Sequence, residues 1–301
     1  MTLKMQLPHG RLHFSFPDDP TGGDPLKQLL LLLLLSALLL STAACGLSPA
    51  PEPLQVMLLR VGKADAILLR CAGKTMVIDA GESDDGKDLC RTLSSLGSEQ
   101  VDVLLITHFD RDHVGGAATL CRNMAVGLVL LPDYEGDNAE TAAFLAALAE
   151  RDLRAERLRE PVSFTLGDCE VLVEPPEDYT LTGKGEQDNN LSLITTVRHG
   201  KLRLVFAGDA EKQRLRQWLK GDSALPCDFL KLPHHGVYNA ALPQLLRQLQ
   251  PAVTVICDSD KNPAEAETLA ALEAVGTRIY ETRDGSVTVL SDGKNLEITQ
   301  N

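Results

Sequence analysis

Residues 101–116 constrain this chain of 301 residues more than any other stretch. Residues 101–106 read as a buried strand. The chain then continues Thr107-His108-Phe109-Asp110-Arg111-Asp112-His113-Val114-Gly115-Gly116. Four side chains of the kinds that borderline divalent metals prefer, two imidazoles and two carboxylates, fall in one strand-to-helix loop. Alternate positions of an extended loop point to opposite sides, so such a cluster suits two adjacent metals rather than the enclosure of one. The two glycines let the following helix approach closely. The plain alternative is a charged surface loop with two solvated histidines. The strand before, the glycines after and the partners downstream weigh against it.

Those partners come from the placement of the other histidines. Seven occur, two of them (His9 and His13) near the N-terminus. Of the remaining five, His108, His113, His234 and His235 directly follow strand-like runs, a position from which side chains converge at one edge of a sheet. His199 falls in a hairpin turn, where a solvated surface role is expected. Asp209 follows the strand-like run 202–206 and precedes a helix, so it reads both as a site carboxylate and as a helix N-cap. Asp79, before Ala80-Gly81, reads as a turn aspartate or a site residue.

Strand and helix patterns alternate along residues 54–301. Strands are expected at 54–61, 64–71, 75–78, 101–106 and 126–131, with helices at 88–96, 114–124 and 139–150 between them. The second half repeats the rhythm. Hairpins cover 162–174 and 191–206, separated by a polar loop at 177–187. Helix 211–220 and strand 228–232 follow, and strand 228–232 leads into Pro233-His234-His235-Gly236. Two strand-rich halves, each with helices, imply an α+β chain with two sheets packed face to face and helices outside. No compositional break divides 54–301, so one domain is expected there.

The motif resembles the H-x-[HD]-x-D-H signature of the metallo-β-lactamase superfamily, in the form with Asp110 at the third position. The similarity extends to the ordered stretches Val61-Gly62-Lys63-Ala64-Asp65-Ala66, Val77-Ile78-Asp79-Ala80-Gly81, Asp188-Asn189-Asn190-Leu191-Ser192-Leu193, Phe206-Ala207-Gly208-Asp209 and Lys231-Leu232-Pro233-His234-His235-Gly236. Together they resemble most the extracellular hydrolase domain of ComEC-type competence proteins. The resemblance implies an αββα four-layer sandwich. It implies that His108 and Asp110 hold a first divalent metal, Asp112 and His113 a second, and that Asp209 bridges both. One of His234 and His235 completes the second site. Asp79 braces the metal loop, and Asn190 gives structural support.

Where many superfamily members have a third histidine for the first metal, this chain offers Asn189, Asn190 and Ser192. Oxygen-rich ligation is less zinc-selective, so the expected metal is zinc, as one or two ions, with manganese beside it. The implied chemistry is hydrolysis of a phosphodiester or related ester by a metal-bound hydroxide, with Asp112 or Asp209 orienting the nucleophile. Asn262 stands where related domains carry a histidine before a proline. Tyr238, expected to be packed, follows where a serine is usual. A β-lactamase is disfavoured by Asp110 and Asn189-Asn190. The competing reading is a metal-containing surface lipoprotein that binds a ligand or partner without turnover.

The N-terminus reads as a targeting segment. Lys4, Arg11 and Lys27 precede the apolar run 29–40, which is shorter than the roughly 20 residues that span a bilayer. Ser41-Thr42-Ala43-Ala44-Cys45 then resembles a bacterial lipobox, with Thr42 where leucine is usual. The expectation is a lipoprotein-type signal peptide at 1–44, acylation of Cys45, a tether at 45–53 and a hydrolase domain at 54–301, anchored outside the cytoplasm. Without acylation the chain would be secreted. The formal charge of −13 opposes a non-specific polyanion binder, which draws its affinity from Lys and Arg. A phosphoester substrate, nucleic acid included, is the expected partner, and no protein partner is implied. Of seven cysteines none forms a C-x-x-C pair, so a thiolate zinc site is not expected. Cys71 and Cys257 read as small core residues.

Overall fold

The computed structural model describes residues 3–7, 10–14, 51–179 and 188–301. Contacts divide the chain into two units, Met1–Pro49 and Ala50–Asn301. Of the first, the structure describes an antiparallel hairpin of β1 (Leu3–Leu7) and β2 (Gly10–Phe14). The apolar run 29–40, Cys45 and the tether up to residue 50 lie outside the described residues. No helix among the described residues is long and apolar enough to cross a membrane.

The second unit holds two mixed sheets. One runs through β3 (Leu54–Leu58), β4 (Ala66–Cys71), β5 (Lys74–Ala80), β6 (Gln100–Leu105), β7 (Ala125–Pro132) and β8 (Ala155–Leu158). It is extended beside β3 by β16 (Val287–Ser291) and β17 (Leu296–Gln300), in the order β17-β16-β3-β4-β5-β6-β7-β8. The other contains β9 (Val162–Leu166), β10 (Cys169–Glu174), β11 (Ile194–His199), β12 (Leu202–Phe206), β13 (Phe229–Lys231), β14 (Val253–Ile256) and β15 (Arg278–Glu281), in the order β15-β14-β13-β12-β11-β10-β9. Each sheet changes from antiparallel to parallel at one strand: β5 in the first and β12 in the second.

Side-chain alternation builds the layers, because successive strand residues face opposite sides of a sheet. In β4, Ile67 and Leu69 enter the core between the sheets, while Leu68 faces outward among Leu89, Leu93, Leu120 and Phe144. These come from α1 (Gly86–Ser95), α3 (Ala117–Asn123) and α4 (Ala139–Glu150). In β12, Leu204 and Phe206 point between the sheets and Val205 outward. Val205 packs with α5 (Lys212–Trp218), α6 (Leu242–Leu249) and α7 (Ala266–Val275) through Leu215, Leu245 and Leu272. Each fully buried Leu, Val or Phe contributes roughly 1.5–3 kcal/mol. The outcome is the expected αββα order.

Four features differ from the sequence reading. The helix expected at 114–124 is broken into α2 (Arg111–Val114) and α3. At the break a Cβ on Gly115 would lie 2.5 Å from the Arg111 carbonyl oxygen, and one on Gly116 would lie 2.2 Å from that of Ala80. Strand β8 went unforeseen because Ala155-Glu156-Arg157-Leu158 has little apolar patterning and is defined by pairing with β7. His199 is not a solvated turn residue. It ends β11 fully buried, with Nδ1 2.7 Å from the Ser291 hydroxyl and Nε2 2.9 Å from the Glu52 carbonyl. Nor is Tyr238 packed, since it is 38% exposed.

Gly116 also sits against Gly86, whose own Cβ would fall 2.7 Å from the Gly116 carbonyl. Gly116→Ala is expected to lower the unfolding free energy in urea by about 1–3 kcal/mol through overpacking.

Candidate metal centre

The two switch strands and their parallel neighbours end at the same place. Asp79 is the penultimate residue of β5, the histidine motif follows β6, Asp209 follows β12, and His234-His235 follow β13. Carboxyl ends of strands at such a change of direction are where open sheets build their sites.

Three imidazoles are aimed by acceptors behind them. The Asp79 carboxylate accepts the Thr107 backbone N–H at 2.7 Å, the Thr107 hydroxyl at 2.7 Å and His113 Nδ1 at 2.8 Å. Having given its one proton to Asp79, the Thr107 hydroxyl accepts from His108 Nδ1 at 3.0 Å. His235 Nδ1 donates to the Cys257 carbonyl at 2.8 Å. With Nδ1 committed in each ring, Nε2 carries the lone pair that a metal takes.

The Nε2 atoms converge with carboxylate oxygens. Asp209 Oδ2 lies 3.3 Å from His113 Nε2 and 3.1 Å from His235 Nε2. The two Nε2 atoms are 3.3 Å apart, and Asp112 Oδ2 is 3.4 Å from His235 Nε2. Ligands around one tetrahedral divalent ion at 2.0–2.2 Å lie about 3.3–3.6 Å from one another, so these four residues match one coordination sphere. His108 joins His113 and Asp209 in an adjoining cluster with all three ligand atoms within 4.8 Å. Its Nε2 is fully buried without a hydrogen-bond partner and 3.7 Å from Asp110 Oδ2. An orphaned buried nitrogen is costly unless something fills its place. The donor set therefore fits divalent metal.

His234 and Asn190 are placed elsewhere. His234 Nδ1 lies 3.1 Å from Glu211 Oε1, and its Nε2 3.4 Å from the Asn189 amide nitrogen. The Asn190 side-chain oxygen accepts the backbone N–H groups of Gln213 and Arg214, both at 3.1 Å, and so holds the first turn of α5 behind Asp209. Asp209 is not the N-cap of that helix, which is Glu211. Asp79, His234 and His235 all adopt positive φ, at 58°, 50° and 51°. Backbone in the left-handed region costs roughly 1–2 kcal/mol for such residues and persists where surrounding structure over-determines it.

Two residues had no role in the sequence reading. Lys231 and Asp65 are completely buried and paired with each other. Lys231 Nζ also donates to the Gly208 carbonyl at 3.1 Å and faces Asp209 Oδ1 at 3.6 Å. Asp65 Oδ2 is 3.8 Å from His113 Nδ1, and its Oδ1 is 3.8 Å from His235 Nδ1. The signal was a lone charge inside each apolar stretch, Ala64-Asp65-Ala66-Ile67 and Leu230-Lys231-Leu232, since an isolated charge is seldom buried without a partner.

Asp65, Asp79, Asp112 and Asp209 stand around His113 and His235, and Lys231 pairs with Asp65 and faces Asp209. Burial opposes the charged form of His235, yet Asp209, Asp112 and Asp65 raise it to about 9. His113 is likewise raised against its burial by Asp209, Asp79 and Asp65. Burial would lift Asp209 too, but His235, His113 and Lys231 hold it well below the usual carboxylate range. Without metal, protons on the histidines carry the missing positive charge, and a metal has to displace them. Apparent metal affinity is therefore expected to rise with pH, about tenfold per unit for each proton displaced, and to flatten above pH about 9 for His235. Calorimetry in buffers of different ionisation enthalpy measures the protons released. His235→Ala is expected to lose bound metal by mass spectrometry and His234→Ala to keep it. Asp79→Ala should weaken metal binding about 10–100-fold.

The profile of the metallo-beta-lactamase superfamily matches residues 59–257. Among curated proteins, ComE operon protein 3 of Bacillus subtilis (strain 168) is 27% identical over 176 residues, covering 58% of this chain and 22% of that protein. Recombination protein 2 of Haemophilus influenzae is 27% identical over 215 residues, covering 69% of this chain and 25% of that protein. The chain thus spans about a quarter of the length of these relatives. Among solved structures, the metallo-beta-lactamase fold protein YhfI from Bacillus subtilis matches with a TM-score of 0.52 at 9% identity, over 76% of this chain and 97% of that one. The matched profile, the two mixed sheets and the clustered His and Asp ligands agree: this chain belongs to the metallo-beta-lactamase superfamily, whose members are in general metal-dependent hydrolases.

Proposed function

We propose that the chain is an exported hydrolase of phosphodiester or related ester bonds. The observation that carries this reading is the convergence of His113 Nε2, His235 Nε2, Asp112 Oδ2 and Asp209 Oδ2 beside the orphaned His108 Nε2. His108, Asp110, Asp112, His113, Asp209 and His235 would hold one or two divalent ions, zinc by its imidazoles or manganese by its many oxygens. When bound, such an ion supplies Lewis acidity and lowers the pKa of water towards ~7.

The protein's own groups divide the remaining work. Asp112 is the acceptor open to solvent in the tighter cluster, its side chain 23% exposed. Burial would raise it, but His235 and His113 keep it ionised well below neutral pH. As a permanently ionised acceptor it would orient an attacking water. Asp209 is shut behind it, 3% exposed, and keeps the imidazoles in register. Lys231 faces Asp209 Oδ1 at 3.6 Å, and the Ser192 hydroxyl accepts the Asp209 backbone N–H at 3.3 Å.

For the substrate, a relative named for recombination supports a nucleic-acid phosphodiester. The charge of −13 supports a small or lipid-like one instead. The leader at 1–44 and Cys45 support export and lipid anchoring. Mass spectrometry of the mature protein would refute anchoring by finding Cys45 unmodified and preceded by leader residues.

The decisive assay uses the full-length chain with zinc or manganese, on a chromogenic phosphodiester and on single-stranded DNA, beside Asp112→Ala. Turnover is expected, with kcat/KM reduced about 10²–10⁴-fold in the variant. Equal rates in both proteins would remove the enzyme reading. Bound metal without turnover would leave a metal-holding binding protein, a reading that Asn262 in the late histidine's place supports.

A further inference from the structure

We propose that Cys71 and Cys169 form a disulfide that staples the two sheets at the end opposite the metal centre. The two thiols are 2% and 0% exposed, and their sulfurs lie within 4.8 Å of each other. Cys71 closes β4 of one sheet and Cys169 opens β10 of the other. Facing sheets usually stand about 10 Å apart, but here their turns touch. A Cβ on Gly167 would lie 2.5 Å from the Cys71 carbonyl oxygen and 2.8 Å from Ala72 Cβ. Gly167, at φ +57°, is what lets the backbones meet.

His199 shares this cluster, yet a metal there lacks a third donor. The Glu52 carbonyl can only accept, so His199 Nε2 donates to it, and Nδ1 accepts from the Ser291 hydroxyl. Both ring nitrogens are thereby occupied. Cys71 Sγ donates to that same Glu52 carbonyl at 3.4 Å; the bridge gives up this bond, and His199 Nε2 keeps the carbonyl satisfied.

Formation follows thiol–disulfide exchange with a small disulfide such as oxidised glutathione. One protein thiolate attacks it and expels one reduced glutathione. The second thiolate then attacks the protein sulfur of the mixed disulfide and expels another. Two protein thiols lose two electrons and two protons, and one glutathione disulfide becomes two thiols. Burial, then neighbouring Cys71, pushes the Cys169 thiol up, so the bond forms while the chain folds rather than in the finished structure.

The test unfolds and reduces the full-length chain, then refolds it in a glutathione redox buffer. Peptide mapping is expected to find Cys71 joined to Cys169 and two hydrogens missing from the intact mass. Because the bridge closes a loop of about a hundred residues, the melting midpoint should rise by about 5–10 °C relative to protein refolded reduced. Cys71→Ser should abolish both effects, and Cys121→Ser should keep them. Wild-type protein in which both thiols remain open to alkylation after oxidative refolding, or a bridge mapped to other cysteines, would overturn the proposal. Mapping on the wild type decides the matter even where a variant fails to fold.

Discussion

Asp79 carries three donors on two oxygens, and the site is organised from that point. It fixes the Thr107 backbone, the Thr107 hydroxyl and the His113 ring together. Through Thr107 it reaches the His108 ring as well. One buried carboxylate at the end of β5 thus sets the orientation of both histidines of the motif that follows β6. Its left-handed backbone, at φ 58°, is the strain the fold sustains to place it there. Charge-assisted hydrogen bonds of this kind are roughly twice as strong as neutral ones, enough to offset that strain.

The second sheet answers with the same device in different residues. His235 is turned by the Cys257 carbonyl at the end of β14, and Asp209 is faced by Lys231 from β13. The strand ends at this end gather four carboxylates, Asp65, Asp79, Asp112 and Asp209, with a single lysine, Lys231. Removing one member of such a set leaves the rest buried and uncompensated, a cost of roughly 3–5 kcal/mol. The arrangement is accordingly held by charge balance as much as by packing. At the far end of the sandwich the sheets close on each other instead, through Gly167 and the Cys71–Ala72 turn.

Much of this was legible before any coordinates. The elements at 139–150, 162–166, 169–174 and 202–206 follow from local sequence, the helix from its alanine-rich composition and the strands from short apolar runs about turn residues. The break at Gly115–Gly116 was not, since it depends on the Ala80 carbonyl and Gly86 from a distant segment. The burial of His199 was not either, because its partners, Glu52 and Ser291, lie 147 and 92 residues away.

The sequence by itself determined the donor inventory: two imidazoles and two carboxylates in one loop, Asp209 at a strand end, and a histidine pair after another. Local order suffices there, because strand ends and short loops dictate where neighbouring side chains start. Only the tertiary structure decided between His234 and His235, which are adjacent, both left-handed and chemically identical. The Cys257 carbonyl turns one ring into the cluster and Glu211 holds the other aside. It also revealed the Lys231–Asp65 pair, because whether a charge in an apolar run is tolerated depends on a partner 166 residues away across the fold, and no local pattern encodes that distance.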